Sequence, residues 1–440
     1  MIVPRESLLI IVTGLISYVL SYNISFGQEE STIPNLKDHN LVIELVSDGL
    51  QSPTTMAFLG SDDILVLEKD RGTVQRIING VMLKEPILDV NVNGEDERGL
   101  LGIAISKNAT NAKTYVFLFY TEAEGREDGA KPIANRLYRY ELVDDKLVNP
   151  ELLLDLPYLP GPAHNGGAIT IGHDNHVYVA IGELTPTKYA RGDYKFLSQN
   201  YVDGKPADGR GGILRITQDG RPVGEGILGH DYPLNLYYAY GIRNSFGIGF
   251  DLVTGNLWDT ENGPSWGDEI NLVEPGFNSG WAKVQGVWTV KEVINEDGER
   301  EINKGEVSSS KPAGIIDFNG RGNYSQPELT LDETVAPTAI AFLHSDKLGM
   351  QYENDMFVGT FKDRLLHFKL QEPNRTDLIL TANLSGRVAE TLEDIEDVTF
   401  AEGLGIITDV EVGPDGYLYI VSGARSTEGK IYRILPDMKE

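Results

Sequence analysis

One local pattern recurs six times along the chain and restricts the fold more than any other feature. A polar, Gly or Pro residue opens a short run of small and apolar residues; a turn follows, and then a second apolar strand. The opening runs lie at 53–58, 99–104, 166–171, 245–250, 338–342 and 408–412, and the second runs at 64–67, 116–119, 177–180, 256–258, 355–358 and 417–420. Turn-forming residues separate them, as in Gly60-Ser-Asp-Asp63 and Pro414-Asp-Gly416. Third strands follow at 73–77, 136–140, 213–216, 365–368 and 430–434. Repeated antiparallel sheets of this size close into a ring, because radial packing buries both faces of each sheet and leaves few edges. The chain is therefore predicted to be all-β, a six-bladed β-propeller over residues 41–436. The small residues opening each first strand suit the crowded axis of such a ring, and an irregular pair of sandwiches would leave them unexplained. Two Gly- and charge-rich stretches, 185–211 and 284–326, interrupt the repeat and read as rim loops.

Composition removes several functions. With 66 acidic and 38 basic residues the net charge is -28, a surface that repels nucleic acid and anionic lipid. Cysteine is absent, which excludes disulfides, thiolate catalysis and Cys-ligated zinc. Arg5, an apolar run over 8–20 and the small residues Ser25 and Gly27 read as a secretory signal over residues 1–27, with an uncleaved N-terminal anchor as the alternative. The protein is expected outside the cell or at its surface, touching membrane only through such an anchor.

Hairpin arithmetic gathers polar residues at one end of the channel. An antiparallel hairpin returns its second strand to the end where the first began. His164 precedes a first strand and Glu183 follows its partner, with the 173–174 turn midway between them. Arg243 and Gly263 bracket the 251–255 turn in the same way; Glu97 and Arg98 lead another first strand, and Lys362 trails a second one. The opening is thus expected to collect Glu97, Arg98, His164, Glu183, Arg243, Asn244, Glu261 and Lys362. His173 and His176 belong to a turn at the far end and are excluded. A lone histidine is more often structural than catalytic, but a carboxylate placed to fix its tautomer improves the case for His164.

The segment Tyr240-Gly-Ile-Arg-Asn-Ser-Phe-Gly-Ile-Gly-Phe250, with Leu257-Trp-Asp-Thr-Glu-Asn-Gly-Pro264 and Gly267-Asp-Glu-Ile-Asn-Leu272, resembles the soluble glucose/sorbosone dehydrogenases. Glu97-Arg-Gly-Leu-Leu-Gly102, His164-Asn-Gly-Gly167, Gly212-Ile-Leu-Arg-Ile216 and Asn278-Ser-Gly-Trp281 fit the same pattern in the same order. The resemblance implies a six-bladed propeller that uses pyrroloquinoline quinone and calcium to oxidise aldoses at C1 to lactones, passing electrons to an external acceptor. It implies that His164 is the base, oriented by Glu183, and that Arg243 and Asn244 pack on and polarise the quinone. It further implies that the carbonyls of Gly263 and Pro264 bind the cofactor's calcium, that Glu269 and Ser279 belong to a second calcium site, and that Glu97 and Lys362 face the cofactor. In one place the chain departs from the family. Where two arginines usually meet the cofactor carboxylates, just before Asp409, this sequence has Ile406 and Thr408, and Arg425 is the available substitute. Losing two charge-assisted hydrogen bonds costs roughly 3–6 kcal/mol, or about two to four decades of affinity. Two other functions therefore stay open: a calcium-dependent lactonase-type hydrolase, with Glu183, Glu261 and Asn244 as ligands, and a non-catalytic recognition propeller that has lost the quinone.

Overall fold

The computed structural model describes residues 34–107, 113–185, 196–205, 207–294, 300–424 and 428–438. The proposed leader over 1–27 and Arg425 lie outside these residues. The chain is all-β, with helix among the described residues limited to three single 3-10 turns.

Six sheets each begin with one of the six predicted first strands: Pro53–Gly60, Leu100–Lys107, Ile169–Ile171, Ser245–Phe250, Pro337–Phe342 and Ile407–Val412. We number the sheets one to six in that order. Each first strand stands at one end of its sheet and is followed outward by its antiparallel partners, as Leu100–Lys107 is by Thr114–Ala123, Pro132–Val143 and Lys146–Leu156. Every first strand touches the next, and the last touches the first. Sheet six takes its outermost strand, Leu41–Gln51, from the start of the described chain, where it pairs with Glu428–Pro436 near the end.

The second strands read as unbroken apolar runs because both of their faces are covered. Val177, Val179 and Ile181 pack toward sheet two, while Tyr178 and Ala180, on the other face, pack toward sheet four. Phe117 and Phe119 join the cluster shared with sheet three; Val116 and Leu118 join the one shared with sheet one. Trp258 meets Val358 and Leu366 across the gap between sheets four and five, Phe357 meets Leu418 and Ile420 between five and six, and Tyr419 meets Met56 and Val66 between six and one. Each neighbouring pair of sheets thus shares a core cluster, and each buried Leu, Val or Phe contributes about 1.5–3 kcal/mol.

Among the described residues no backbone ladder joins one first strand to the next, so side chains and close approach hold these seams. Thr54 Oγ1 donates to Leu100 O (3.0 Å) between sheets one and two, and Thr338 Oγ1 donates to Ile407 O (2.7 Å) between five and six. Between six and one, Asp409 Oδ2 accepts from Thr55 Oγ1 and from Met56 N, both at 2.8 Å. Elsewhere glycine allows contact: a Cβ on Gly102 would stand 1.8 Å from Gly167 O, and one on Gly247 would stand 2.8 Å from Ala339 Cα. This is the physical reason for the small residues that open each first strand.

The insert at 284–326 is more ordered than the rim loop expected from composition. Val284–Gln285, Trp288–Ile294 and Arg300–Val307 form a three-stranded sheet of their own, because Thr289, Val290, Val293 and Ile294 favour an extended strand there. The other insert is described only in part.

The stitch at Asp409 yields a stability prediction. Asp409→Ala removes the acceptor for Thr55, Met56 N and Val410 N, and should destabilise the fold by about 3 kcal/mol in denaturant unfolding. Asp409→Asn, which keeps one acceptor oxygen, should cost less; equal stability of Asp409→Ala and wild type would show that the seam does not need this contact.

Candidate active site

A cavity of about 710 Å³ opens where the first strands begin, within the size range of sites for small organic ligands. Glu97, His164, Arg243, Asn244, Gly263, Pro264 and Thr408 line it. Seven predicted residues from sheets two, three, four and six therefore meet at one opening.

His164 sits in the left-handed region at φ 61°, an uncommon conformation for a residue with a Cβ, worth roughly 1–2 kcal/mol of strain. Its two peptide neighbours explain how it is held. Its N–H donates to Glu97 Oε2 (2.6 Å), and its carbonyl accepts from Leu184 N (3.3 Å), the residue opposite it across the hairpin. The residue is 7% exposed, and Nδ1 lies 3.5 Å from Glu183 Oε1, within ion-pair range but not in hydrogen-bond alignment. With Nδ1 turned to that carboxylate, Nε2 is left on the cavity side. Glu183 itself is fully buried behind the ring, its Oε1 accepting from Thr185 Oγ1 (2.7 Å).

Arg243 is buried over the indole of Trp281, 5.4 Å from the ring centroid. Its Nη1 donates to Asn262 O (2.7 Å) and to Gly263 O (2.9 Å), while its peptide N–H donates to Glu261 Oε1 (2.8 Å). Asn244 spans two sheets: Nδ2 donates to Glu97 Oε2 (3.1 Å), and Oδ1 accepts from Gly166 N (3.2 Å). Asp268, which the sequence reading did not single out, also lines the cavity. One of its oxygens accepts from Gly263 N and the other from Val335 N and Ala336 N, all at 2.8 Å, so it ties the Gly263–Pro264 loop to the loop entering sheet five. Burial outweighs those donors and lifts its carboxyl to about 6.

Behind the cavity wall lies a second polar centre. Asp259, Glu261 and Glu269 are all at most 1% exposed. Burial raises all three carboxyls: Asp259 to about 7, Glu269 to about 8, and Glu261 well above the usual range, with the Glu269 charge adding to the effect on Glu261. Ser279 Oγ stands between Glu261 Oε2 (2.6 Å) and Glu269 Oε2 (3.0 Å). One hydroxyl proton serves only one of the two; Asn271 Nδ2 donates to Glu269 Oε2 (3.1 Å) and to Asp259 Oδ1 (3.0 Å). Asp259 Oδ2, Asn271 Oδ1 and Gln285 Oε1 are buried acceptors with no hydrogen-bond donor among the described residues, an excess of oxygen in which amide groups outnumber carboxylates; among the described residues no three His, Asp or Glu side chains are grouped as a metal would need.

Several predicted members stand apart from the cavity. Arg98 turns away from it: Nη2 donates to Tyr158 O (2.6 Å), Nη1 meets Glu95 Oε2 (3.3 Å), and the guanidinium braces the adjoining loop. Lys362 is 45% exposed and lies 3.9 Å from Glu333 Oε1, held at the rim by that carboxylate. Glu183, Glu261, Glu269 and Ser279 form the layer behind the lining. Lys69 was missed. It follows the strand Asp63–Glu68 as Lys362 follows Met356–Thr360, and the run Lys69-Asp-Arg71 recurs as Lys362-Asp-Arg364, yet it is Lys69 that lines the cavity. That repeat was the available signal.

With this geometry established, comparison with known proteins is specific. The family model described as Glucose / Sorbosone dehydrogenase matches residues 50–433. The aldose sugar dehydrogenase of Escherichia coli is 25% identical over 401 residues, covering 90% of this chain and 92% of that protein. Among solved structures, a putative oxidoreductase (glucose dehydrogenase) from Thermus thermophilus matches at TM-score 0.65 with 26% identity, covering 90% of this chain and all of that one. The PQQ-bound aldose sugar dehydrogenase of Streptomyces coelicolor shares the fold at TM-score 0.62 and 22% identity, covering 92% of this chain and 100% of its own. The chain belongs to the glucose/sorbosone dehydrogenase family of oxidoreductases.

Proposed function

We propose that the protein is an exported six-bladed β-propeller that oxidises aldose sugars at C1 to lactones, with pyrroloquinoline quinone and calcium at the channel mouth and an external electron acceptor. The observation that carries this reading is His164, a buried imidazole backed by Glu183 and opening on the cavity that Arg243, Asn244 and Gly263 also line. Export rests on the leader composition of residues 1–27.

The chemistry follows from those groups. Nε2 of His164 takes the proton of the sugar C1 hydroxyl, and Glu183 beside Nδ1 stabilises the imidazolium that forms. The C1 hydrogen leaves as hydride with the C–H electron pair, and the pair left on the deprotonated oxygen closes the carbonyl of the lactone. A bound quinone would supply the two-electron acceptor that this hydride requires. Arg243 and Asn244 are the donors that would steady the acceptor's oxygens, and Trp281 keeps water from the far face of the guanidinium.

The residues fit such a cofactor unequally. The reactive side fits: there are donors at Arg243 and Asn244, a carbonyl at Gly263 with a second lone pair beyond its bond to Arg243, and the adjacent Pro264. Oxygen-rich surroundings at Glu269 and Ser279 fit a second calcium. The side that would meet the cofactor carboxylates is weaker. Thr408, Asp409 and Glu411 line it, the lining cations are Lys69 and Arg243, and Lys362 is at the rim. That observation favours the second reading, a recognition propeller without quinone. The lactonase reading has less support, because Glu183 and Glu261 are wholly buried and do not line the cavity.

The test is direct. Protein lacking residues 1–27, given calcium and pyrroloquinoline quinone, should reduce a dye with aldoses, and His164→Ala should lower the rate by about 10²- to 10⁴-fold. Lactone hydrolysis without quinone would support the hydrolase, and no turnover with no quinone binding would support the recognition propeller.

The buried carboxyls give a pH prediction. A folded Glu269 that titrates near about 8, against an ordinary 4.5, binds a proton that the unfolded chain has released, so this group's contribution to stability is full below pH 4.5 and is lost as pH rises toward 8. Calcium takes the proton's place; millimolar calcium should therefore raise Tm more at pH 8 than at pH 5. Glu269→Gln should flatten both dependences, and a calcium effect of the same size at the two pH values would rule out this cluster as the binding site.

A further inference from the structure

We infer that Lys69 is a positioning residue for the candidate base, acting through the loop that carries Glu97. The inference rests on the dehydrogenase reading of the site only in naming His164 as the base; the mechanical link is a matter of geometry.

The Lys69 ammonium has three N–H groups and three acceptors: Asp70 Oδ1 (2.5 Å), Gly94 O (3.0 Å) and Arg98 O (3.0 Å). The two carbonyls lie at the two ends of one five-residue loop, so a single charge cross-braces it. The loop also rests on the Lys69 backbone. Leu100 N donates to Lys69 O (3.0 Å), and a Cβ on Gly99 would stand 2.5 Å from that same oxygen. Inside the brace sits Glu97. Its Oε2 accepts from His164 N (2.6 Å) and from Asn244 Nδ2 (3.1 Å), and Asn244 Oδ1 in turn accepts from Gly166 N (3.2 Å). Four sheets are joined in one line: Lys69 from sheet one, Glu97 leading into sheet two, His164 leading into sheet three and Asn244 leading into sheet four.

The arrangement explains why an ammonium lines the cavity without being free to grip a ligand. Two of its three N–H groups are directed at the loop and the third at Asp70. It also explains how the strained φ of His164 persists. The strain is held by a charge-assisted hydrogen bond from the His164 peptide to Glu97, and that bond is only as stiff as the loop presenting the carboxylate. Without the ammonium, the Gly94 and Arg98 carbonyls would lose their shared donor, and Glu97 would move relative to His164.

The test combines a structural with a kinetic readout. In protein labelled with 15N-histidine, the chain's seven histidines give few enough signals to follow the His164 amide directly. Lys69→Met should shift that amide and accelerate its hydrogen exchange at least tenfold, leaving His367, which pairs with Asp355 on sheet five, unchanged. Lys69→Arg, which keeps charge and donors, should restore most of the protection; if Lys69→Met does not fold, Lys69→Gln takes its place in the comparison. On turnover, Lys69→Met should lower kcat about tenfold in the wild-type background but less than twofold in a Glu97→Ala background, since the path through Glu97 is already cut. An unchanged His164 amide, or equal kcat losses in both backgrounds, would overturn the inference. If no variant and no wild-type protein oxidises an aldose, the dehydrogenase reading fails while the amide measurement still decides the role of Lys69.

Discussion

The structure depends on how six first strands are held side by side without a hydrogen-bonded ladder between them. Within each sheet, backbone pairing is continuous, but across each seam it stops. Apolar clusters between neighbouring sheets supply the bulk of the adhesion, yet such packing is non-directional and does not set the height of one sheet against the next. Threonine hydroxyls, glycine contacts and the Asp409 carboxylate do that. Thr54, Thr55 and Thr338 each reach a specific atom on the adjoining first strand, so they fix register where the ladder cannot. Asp409 does the same between the last sheet and the first, where it accepts from Thr55 Oγ1 and Met56 N.

The candidate site uses the same device at the cavity. Just beyond the ends of the first strands, chain segments from neighbouring sheets lie close together, and here the stitches are Lys69, Glu97, Asn244 and Asp268. Glu97 joins His164 to Asn244, while Asp268 joins the Gly263 loop to the Val335–Ala336 backbone. Groups that would meet a ligand are therefore fixed by contacts that also hold the sheets together. Precision in the site follows from the contacts that join neighbouring sheets, and no separate scaffold is needed for it.

Much of this could be read from sequence because it follows from period and arithmetic. Unbroken apolar runs in the second strands reveal two buried faces, and the midpoint rule put His164 beside the Glu183–Leu184 end of its hairpin, as the bond from Leu184 N to His164 O bears out. What could not be read was the direction of long side chains. Arg98 and Lys362 occupy mouth positions, but flexible stems let them turn toward Tyr158 and Glu333. Lys69 and Lys362 sit in matching sequence, Lys-Asp-Arg, and differ only in what the neighbouring loop offers: two converging carbonyls for Lys69, an exposed carboxylate for Lys362. The hairpin within 284–307 reads as loop in sequence because its Gly and charged residues outweigh a short β-branched pattern.

The strand Ile407–Val412 shows that closing the fold and gripping a cofactor are separable even on adjacent residues. Asp409 keeps its stitch to sheet one. Thr408 next to it turns its hydroxyl to Val421 O at 3.5 Å, and Ile406 offers its carbonyl to Gly423 N at 2.9 Å. An arginine at 408 would present charge to the cavity; threonine gives a neutral contact instead, and none of the seam bonds is lost. Glu411, two residues beyond Asp409, adds an exposed carboxyl to the same wall. A ligand that reaches this wall meets hydroxyl and carboxyl groups, whereas one that stays near His164 and Arg243 meets an imidazole and a guanidinium. The seam contacts of this strand come from the Asp409 carboxylate and the Ile407 carbonyl, so the side chain at 408 can change the chemistry of this wall while those contacts stay the same.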